Sequence, residues 1–542
     1  MMNIFKTNRT IVDWLAGRAA ELYDVDVVPD VFEPESLDFG DWTTNLPFQL
    51  ARVARKSPAD IATEIVDAEL PKNISSAEVA GAGYINFRIS KDALARMVLS
   101  IISEPDRWGF SSPEKNVKIQ VEFVSANPTG PMNIVSARAA AVGSTIANAL
   151  RTAGYDVSTE FYLNDAGNQI RLLGESFLAR IEQLRGKSAE IPEGGYFGEY
   201  LLDYAREYLS SGVSENPQEW ILKKITSEQK SVLKKFNTEF DVWFSEREFR
   251  SSGKVEEVLS RLRDGEHTYI KDGAEWFAAS KIADDVEDFV LVKSDGEWAY
   301  GLVDIAYHIN KFEERGFDIV YTILGPDHHG HRARLETAMK ALGHPDKLKV
   351  LILQQVNLIE NGEKIKMSKR AGKIITMTEL IDDVGVDAAR YFFLARKMEA
   401  HLDFDLDLAR KTSDENPVYY IQYAYARIRS IIEFAQNKGF DVDEIAQADL
   451  SLLQHPEEHF LIRKIYKYPY TIEKTARNLQ PHIIPFYLYD LAKLFHDFYT
   501  KHRVVDENEK GLSMARLALI DAVAITIKNG LKICGISAPD KM

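Results

Sequence analysis

The chain contains 542 residues, of which 45% are hydrophobic and 27% are charged, a composition typical of folded proteins. This length exceeds what one hydrophobic core usually organises, so about three domains are expected. The formal net charge of −16 argues mildly against a nucleic-acid partner, although a large acidic enzyme can still carry one basic face.

The first residues contain no apolar run long enough for a signal peptide, and no later stretch approaches the length of a membrane span. The single cysteine, Cys534, excludes an internal disulfide and a zinc site built from several thiolates. We therefore expect a cytoplasmic protein that makes no contact with membranes.

Residues 1–110 are expected to form a separate α+β unit. Apolar residues at helical spacing predict a helix over residues 11–22. After the segment that begins Gly40-Asp41-Trp42, the alternation over residues 83–89 predicts a strand. A loop rich in proline, serine, glycine and charge, 105–115, marks the first domain boundary.

The next segment predicts a β-α-β unit. Residues 117–123 alternate between apolar and polar side chains, which is typical of a strand, and residues 157–162 predict a second strand. Between them, a turn at 127–131 leads into a helical pattern that begins at Ile134 and stops at Gly154. Such a unit opens a parallel sheet whose ligand binds beyond the carboxyl ends of the strands.

The segment 172–290 is mostly charged amphipathic helix and is interpreted as an insertion. Strand patterns resume at 317–324 and 348–359, and the pair Asn361-Gly362 predicts a tight hairpin turn. Beyond residue 411 the chain is predicted to be helical. These elements indicate three domains, at 1–110, 111–405 and 406–542.

Phosphate binding has two candidate segments. A P-loop is excluded, because no Gly-x-x-x-x-Gly-Lys-Ser/Thr motif occurs. The turn at 127–131 offers free backbone N–H groups at a helix N-terminus, although an ordinary crossover helix explains the pattern about as often. The run 366–370 could close over a triphosphate and stabilise the charge of departing pyrophosphate, or form a solvated basic turn. It consists of Lys366, Met367, Ser368, Lys369 and Arg370.

Residues 366–370 resemble the ATP-clamping loop of class I aminoacyl-tRNA synthetases. Other segments, in order along nearly the whole chain, are similar to those of arginyl-tRNA synthetases: 122–131, 162–169, 304–308, 325–330, 384–390, 402–408, 416–424 and 535–542. The resemblance implies an α/β fold. A Rossmann-type parallel-sheet catalytic domain would lie between a tRNA-contacting α+β N-terminal domain and an all-α anticodon-binding domain.

The reaction implied by the resemblance is ATP-dependent activation of L-arginine and its transfer to the 3′ end of tRNA(Arg). Mg²⁺ is expected to travel on the ATP phosphates. No protein-bound structural metal is expected, and a monomer is expected.

Carboxylates are the natural partners of a guanidinium group. Glu122 lies near the carboxyl end of a predicted strand, and Asp304 follows Tyr300 at a spacing that suits one helix face. The resemblance implies that Glu122, Asn127, Tyr300 and Asp304 contact arginine, and Ser125 is placed with them. Without the resemblance, the two carboxylates would be interpreted as surface or capping groups.

The resemblance also implies an ATP site. Its expected ATP-binding residues are Pro128, Thr129, Gly130, Val135, Asp327, His328, His329, Met367 and Arg370, and its expected catalytic residues are Lys366, Ser368, Lys369, Asn133 and Ser136. The neighbouring histidines and Asp327 could suggest a metal site, but a metal generally needs further ligands. We therefore expect nucleotide contact from this segment.

Candidate tRNA contacts lie in both outer domains. Tyr84 and Asn86 match positions that meet the tRNA elbow in this family, where an aromatic face and an amide can hold a splayed base. Alternatively, Tyr84 is a buried aromatic residue and Asn86 caps the end of a strand. In the C-terminal domain, Tyr419 and Tyr499 are expected anticodon contacts, and Tyr423, Phe498 and His502 are weaker candidates. Alternatively, these aromatic side chains form part of the hydrophobic core.

One motif departs from the family pattern. Class I synthetases carry His-x-Gly-His where this chain has Asn133-Ile134-Val135-Ser136. Asn133 and Ser136 can still donate hydrogen bonds to phosphate, but Val135 would intrude on the surface that glycine leaves open for adenine. Losing one transition-state donor typically costs ~3 kcal/mol, or a factor of 10²–10³ in rate.

Two hypotheses follow from this departure. The first is an arginine–tRNA ligase whose activity is impaired by the altered ATP site. The second is a catalytically weak or inactive synthetase-like protein that binds tRNA or arginine. The first is favoured because Arg138, the 366–370 loop and the arginine pocket are retained.

Overall fold

The structure is a computed structural model that describes residues 6–110, 117–365 and 375–542. The candidate ATP clamp, Lys366 to Arg370, lies outside the described residues. None of the helices in the described part of the chain combines the length and the apolar character needed to cross a membrane.

The N-terminal part is an antiparallel sheet covered by helices. Its elements are α1 (Lys6–Tyr23), β1 (Val31–Phe32), β2 (Trp42–Thr44), α2 (Leu46–Ala54), α3 (Pro58–Val66), β3 (Ile74–Ala80), β4 (Tyr84–Ile89) and α4 (Lys91–Ser103). The strand order is β1-β2-β4-β3. The helix predicted over 11–22 and the strand predicted over 83–89 are confirmed. Strand β3 was not predicted, because its polar residues hide the alternation of side chains.

A parallel sheet occupies the middle of the chain. Its first elements are β5 (Lys118–Glu122), α5 (Ile134–Thr152), β6 (Asp156–Leu163), α6 (Gly167–Leu184), α7 (Tyr200–Ser211), α8 (Pro217–Lys235), β7 (Val242–Ser245), α9 (Glu246–Arg250) and α10 (Lys254–Asp264). They are followed by β8 (Thr268–Lys271), β9 (Ala274–Phe277), β10 (Phe289–Val292), α11 (Tyr300–Glu313), β11 (Ile319–Leu324), α12 (His329–Ala341), β12 (Leu348–Ile352), β13 (Val356–Glu360) and β14 (Glu363–Lys364). The five-stranded order is β12-β11-β5-β6-β7, with every neighbouring pair parallel.

The interpretation of 172–290 as a helical insertion is wrong in part. Helices α7 and α8 lie there, but β7 adds an edge strand to the parallel sheet by pairing with β6. Strands β8, β9 and β10 form a small antiparallel sheet of their own. The strand β7 has only four residues between charged helices, so its apolar run was masked by the charge of its surroundings.

The single strand predicted over 348–359 is two strands. The first, β12, ends the parallel sheet, and β13 turns away to pair with β14. The predicted hairpin is confirmed: Asn361 and Gly362 have φ values of 51° and 77°, the left-handed pair that a tight two-residue turn requires.

The C-terminal part is helical after one short strand, as predicted. Its elements are α13 (Met377–Val384), α14 (Val386–Leu394), β15 (Leu402–Asp405), α15 (Leu406–Ala409), α16 (Pro417–Asn437), α17 (Pro456–Tyr466), α18 (Tyr468–Asn478), α19 (Ile483–Lys501) and α20 (Lys510–Ile533). Helix α20 packs against α16 and α19, and also against α4 of the N-terminal part.

Arg390 joins the parallel-sheet part of the chain to its C-terminus. The side chain is completely buried, and its guanidinium donates to the carbonyls of Cys534 and Phe236 and to the hydroxyls of Thr238 and Ser144, at 2.6 to 3.1 Å. Burial lowers the pKa of Arg390 to about 10, so the group remains charged at neutral pH.

Replacing Gly535 by alanine should disturb this junction. Gly535 has a φ of +67°, and an added Cβ would lie 2.6 Å from three atoms of the Arg390 guanidinium. Gly439 is the matched control, since its φ is +83° and an added Cβ would meet nothing within 4 Å. Gly439→Ala should lower the free energy of unfolding by about 1 kcal/mol. Gly535→Ala should cost a further ~2 kcal/mol from overpacking. Denaturant unfolding measures both, and equal losses would contradict the steric argument.

Candidate active site at the carboxyl edge of the sheet

The chain turns sharply where β5 ends. Val124 and Ser125 both have positive φ values, 70° and 40°, and Ser125 N donates to Phe123 O in a three-residue turn. Such strained backbone is concentrated at functional sites. The Ser125 hydroxyl bridges the two neighbouring strands, because it donates to Glu122 Oε1 at 3.3 Å and accepts from Tyr162 N at 3.1 Å.

Glu122 is buried and already paired. Its Oε2 accepts from Lys311 Nζ at 2.5 Å, and the oxygen of the Tyr307 hydroxyl lies 3.0 Å from it. On the next strand Glu160 is its register partner, and this second buried carboxylate accepts from Tyr307 and Arg315. Lys311 and Arg315 thus balance the two glutamates, and Glu122 is held as an oriented acceptor whose charge is largely compensated.

The spacing of Tyr300 and Asp304 was predicted to place both on one helix face, and α11 begins at Tyr300. Asp304 accepts from His331 Nε2, and its Oδ1 lies 3.3 Å from His308 Nδ1. Burial alone would raise the pKa of Asp304, but the hydrogen bonds from the two histidines hold that pKa well below its ordinary value. The carboxylate is therefore charged at neutral pH.

Tyr300 is exposed and stands in a negative field. The charge of Asp304 is the largest cause that raises the pKa of the Tyr300 phenol, and the charges of Glu122 and Glu246 raise it further. Three of the predicted arginine-binding residues, Glu122, Tyr300 and Asp304, therefore lie near one another, and this group, the acidic pocket, carries negative charge. Such a pocket suits a cationic side chain, above all a planar guanidinium.

Two neighbours of this pocket were not predicted. Glu246 directly follows β7, a strand that the sequence reading missed, and it is buried beside Arg250 at 2.6 Å. His331 lies in the first turn of α12, with its ring centroid 5.5 Å from that of Tyr300. The position of Glu246 directly after an apolar run is a sequence signal that could have identified it as a site residue. No such signal exists for His331, because it reaches Asp304 from another helix.

Asn127 lies in a separate polar group beyond the strand edge. Its Nδ2 donates to Gln169 Oε1, and its Oδ1 accepts from Asn164 Nδ2, both at 2.7 Å. Both partners belong to the segment 162–169 that sequence analysis singled out. The candidate ATP turn, Pro128 to Gly130, follows directly and is closed by a 2.8 Å bond from Thr129 N to Asn127 O.

The N-terminus of α5 differs from the expected open anion site. Asn133 Oδ1 accepts from Val135 N at 2.9 Å and from Ser136 N at 3.1 Å, so the expectation of free N–H groups is wrong for these two residues. An asparagine at this position caps its own helix. The side chain of Val135 is 39% exposed, on the first turn of α5.

Arg138 is not available as an ATP contact. It is fully buried, and its guanidinium donates to the carbonyls of Gln354, Gln355, Lys397 and Ala400 at 2.6 to 3.3 Å. It ties α5 to the connection between β12 and β13 and to the segment that precedes β15. Arg138, which the sequence analysis named as a retained residue, is thus used within the fold.

Asp327 is exposed in a short turn, Pro326–His328, after β11. Since β11 is the parallel neighbour of β5, this turn lies at the same edge of the sheet as Glu122. The side chains of His328 and His329 lie outside the described part of the structure.

The candidate tRNA contacts fall into two surface groups. Tyr84 is exposed beside Phe48, with ring centroids 5.0 Å apart, whereas Asn86 is only 8% exposed between β2 and β3. The structure thus brings the aromatic face, but not the amide, to the surface.

In the C-terminal part, the rings of Tyr419 and Tyr423 stack at 6.5 Å, and Tyr423 continues onto His496 at 5.8 Å. Tyr499 is partly buried under the Arg427 guanidinium, 4.9 Å from its ring. Phe498, by contrast, is completely buried in the core, in keeping with the alternative stated for it.

Three family descriptions match consecutive parts of the chain. They are the arginyl tRNA synthetase N terminal domain over residues 10–89, the tRNA synthetases class I (R) catalytic domain over 97–398, and the DALR anticodon binding domain over 421–542. The matched catalytic segment contains the acidic pocket, the turn before α5 and the N-terminus of α5 described above.

Known proteins are similar over nearly the full length. The arginine–tRNA ligase of Carboxydothermus hydrogenoformans is 45% identical over 94% of this chain and 93% of the relative. That of Oceanobacillus iheyensis is 43% identical over 96% of both chains. The fold is that of the arginyl-tRNA synthetase of Thermus thermophilus, which is 22% identical with a TM-score of 0.78 over 99% of this chain and 100% of that one. The protein belongs to the arginyl-tRNA synthetase family.

Proposed function

We propose that the protein is an arginine–tRNA ligase. The arginine carboxylate attacks the α-phosphate of ATP and releases pyrophosphate, and the arginyl group of the adenylate then passes to the 3′ end of tRNA(Arg). The observation that carries the proposal is the acidic pocket around Tyr300, in a chain that shares 45% identity with an arginine–tRNA ligase over nearly its full length.

In this pocket, Asp304 is the main partner of the substrate guanidinium. Its two histidine neighbours keep it ionised, and a carboxylate has enough lone pairs to accept from them and from a guanidinium. Tyr300 is proposed to contact the same guanidinium, and Glu122 with Ser125 adds an oriented acceptor. Asn127 holds the α-amino acid end of arginine at the strand edge.

ATP is proposed to lie along the same edge. The nucleotide contacts the turn formed by Pro128, Thr129 and Gly130. Its adenosine part faces Val135 and the turn at Asp327 to His329. Its phosphates are bound by residues 366–370. Asn133 and Ser136 are placed to donate to a phosphate. Mg²⁺, which travels on the phosphates, would neutralise charge as pyrophosphate departs.

The outer parts are proposed to bind tRNA, through Tyr84 and Asn86 at the elbow and through Tyr419 and Tyr499 at the anticodon. The exposure of Tyr84 and the stacking of Tyr419 support this assignment, whereas the burial of Asn86 weighs against a direct contact. The enzyme is further proposed to be monomeric and cytoplasmic, with domain boundaries near residues 110 and 405.

The altered motif is proposed to impair activation. Asn133 Oδ1 occupies two of the backbone donors of α5, and Val135 stands exposed on the turn that would face adenine. The same two observations favour the second candidate function, a synthetase-like protein that binds arginine or tRNA and activates weakly. The two candidates differ only in the rate of adenylate formation.

Restoring the family motif should raise that rate. The variant Asn133→His/Val135→Gly/Ser136→His is expected to increase arginine-dependent ATP–pyrophosphate exchange by about 10²-fold, since transition-state donors are worth about that much. The single change Val135→Ala separates steric relief from gained donors. Robust exchange by the unaltered protein, with no gain in the triple variant, would contradict the impairment. No exchange by either protein, with and without tRNA, would contradict the idea that this motif is the limiting defect.

Asp304→Asn tests the arginine pocket. Loss of a charge-assisted pair should raise the KM for arginine by ~100-fold while the KM for ATP stays unchanged. Asp318→Asn is a control, since the Asp318 carboxylate accepts from Lys118 N at the opposite end of β5. Equal effects of Asp304→Asn on both substrates would argue that Asp304 supports the fold of the site and does not bind arginine.

A further inference from the structure

The connection from β5 to α5 accepts hydrogen bonds from side chains of other helices, and no sequence pattern identified these side chains. Residues 127–130 contain both the proposed arginine contact Asn127 and the proposed ATP contacts, so their backbone must hold one geometry for two substrates. Three carbonyls of this turn, those of Asn127, Thr129 and Gly130, accept hydrogen bonds from helices α7 and α8.

Gln229 on α8 supplies two of these bonds. Its Nε2 donates to Asn127 O and to Gly130 O, both at 3.2 Å, and thereby ties the first and last residues of the turn together. The side chain is 98% buried. Its Oε1 is also buried and has no hydrogen-bond partner among the described residues.

This orphaned acceptor shows how the amide is used. Rotating the amide by half a turn would point Oε1 at two carbonyl oxygens, so the donors must face the turn. A buried acceptor without a partner destabilises the folded protein. The arrangement therefore gives up stability at Oε1 in order to hold the turn, a pattern typical of functional sites.

Tyr200 on α7 supplies the third bond. Its hydroxyl donates to Thr129 O at 2.6 Å, and its ring packs so closely on Gly130 that an added Cβ there would lie 3.2 Å from it. Burial raises the pKa of the Tyr200 phenol well above its ordinary value, so the hydroxyl remains a donor at neutral pH.

We propose that Tyr200 and Gln229 are positioning residues of the synthetase reaction, which hold the turn 127–130 so that arginine and ATP meet in line. This inference rests on the proposed function, because that function assigns the turn to the two substrates. It gives α7 and α8 a part in catalysis. A displacement of about 1 Å between reacting groups can cost 10²-fold in rate.

The chain offers matched controls. Tyr204 lies one turn further along α7, its ring centroid 5.9 Å from that of Tyr200, but its hydroxyl donates to Glu228 and not to the turn. Gln422 is a buried glutamine whose Nε2 donates to Asp387 and to Ser537 O, far along the chain from the site. Each control loses the same chemical groups as its partner variant.

The test compares Tyr200→Phe with Tyr204→Phe, and Gln229→Met with Gln422→Met, in the full-length protein. Pyrophosphate exchange gives kcat and KM for arginine and ATP, aminoacylation gives the KM for tRNA, and thermal unfolding gives Tm. For Tyr200→Phe and Gln229→Met, kcat/KM for arginine and for ATP should both fall by about 10- to 100-fold. The KM for tRNA should be unchanged.

Stability should separate from activity. Gln229→Met also removes the orphaned acceptor, so its Tm should stay near that of the unaltered protein, whereas Gln422→Met should lose Tm and keep kcat/KM. If each variant and its control lost activity equally, or if activity followed Tm, the positioning role would be overturned. An unaltered protein that neither exchanges pyrophosphate nor charges tRNA would overturn the proposed function, and this inference with it.

Discussion

Two buried glutamates on neighbouring strands set the geometry of this site. Glu122 and Glu160 are register partners on β5 and β6, and two buried carboxylates side by side would repel each other strongly without compensation. Lys311 on α11 and Arg315, just beyond the C-terminus of this helix, supply the opposite charges. Because α11 must lie across these strands to deliver both cations, its N-terminal turn carries Tyr300 and Asp304 to the same edge. The acidic pocket is thus a consequence of how the sheet neutralises its own carboxylates.

The N-terminus of α5 shows a second constraint, in which the same donors cannot serve two partners. An asparagine that caps its helix stabilises the local fold, typically by about 1 kcal/mol relative to alanine. The backbone N–H groups of Val135 and Ser136 are then no longer open to a phosphate. The residues at this terminus therefore cap the helix and do not leave these two N–H groups free, while the buried length of α5 and its tie through Arg138 hold the scaffold together.

Trp42 connects the N-terminal and C-terminal parts of the chain. Its Nε1 donates to the Tyr466 hydroxyl at 3.0 Å, and Lys467 Nζ lies 3.5 Å from the centre of its ring. Burial lowers the pKa of Lys467 to about 8. The neighbouring residue of Trp42, Asp41, is anchored in the N-terminal sheet, where its carboxylate accepts from Ile89 N. The Gly40-Asp41-Trp42 segment therefore connects the N-terminal and C-terminal parts, both of which are proposed to bind tRNA.

The sequence by itself determined the order of strands and helices around the first β-α-β unit, the hairpin at Asn361-Gly362, the helical C-terminal part and the membership of the family. These features depend on local patterning, turn chemistry and ordered motifs, all of which are readable along the chain. It also predicted that Tyr300 and Asp304 share a helix face, because their spacing of one helical turn is a local property.

Only the tertiary structure decided which partners those residues meet. The pairing of Glu122 with Lys311, the contact of Asp304 with His331 and the hydrogen bonds from Tyr200 and Gln229 to the turn join residues between 27 and 189 positions apart. The same holds for β7, whose four residues count as a strand only because β6 is beside them. Such contacts depend on how separate elements pack in space, and no periodicity of the chain records them.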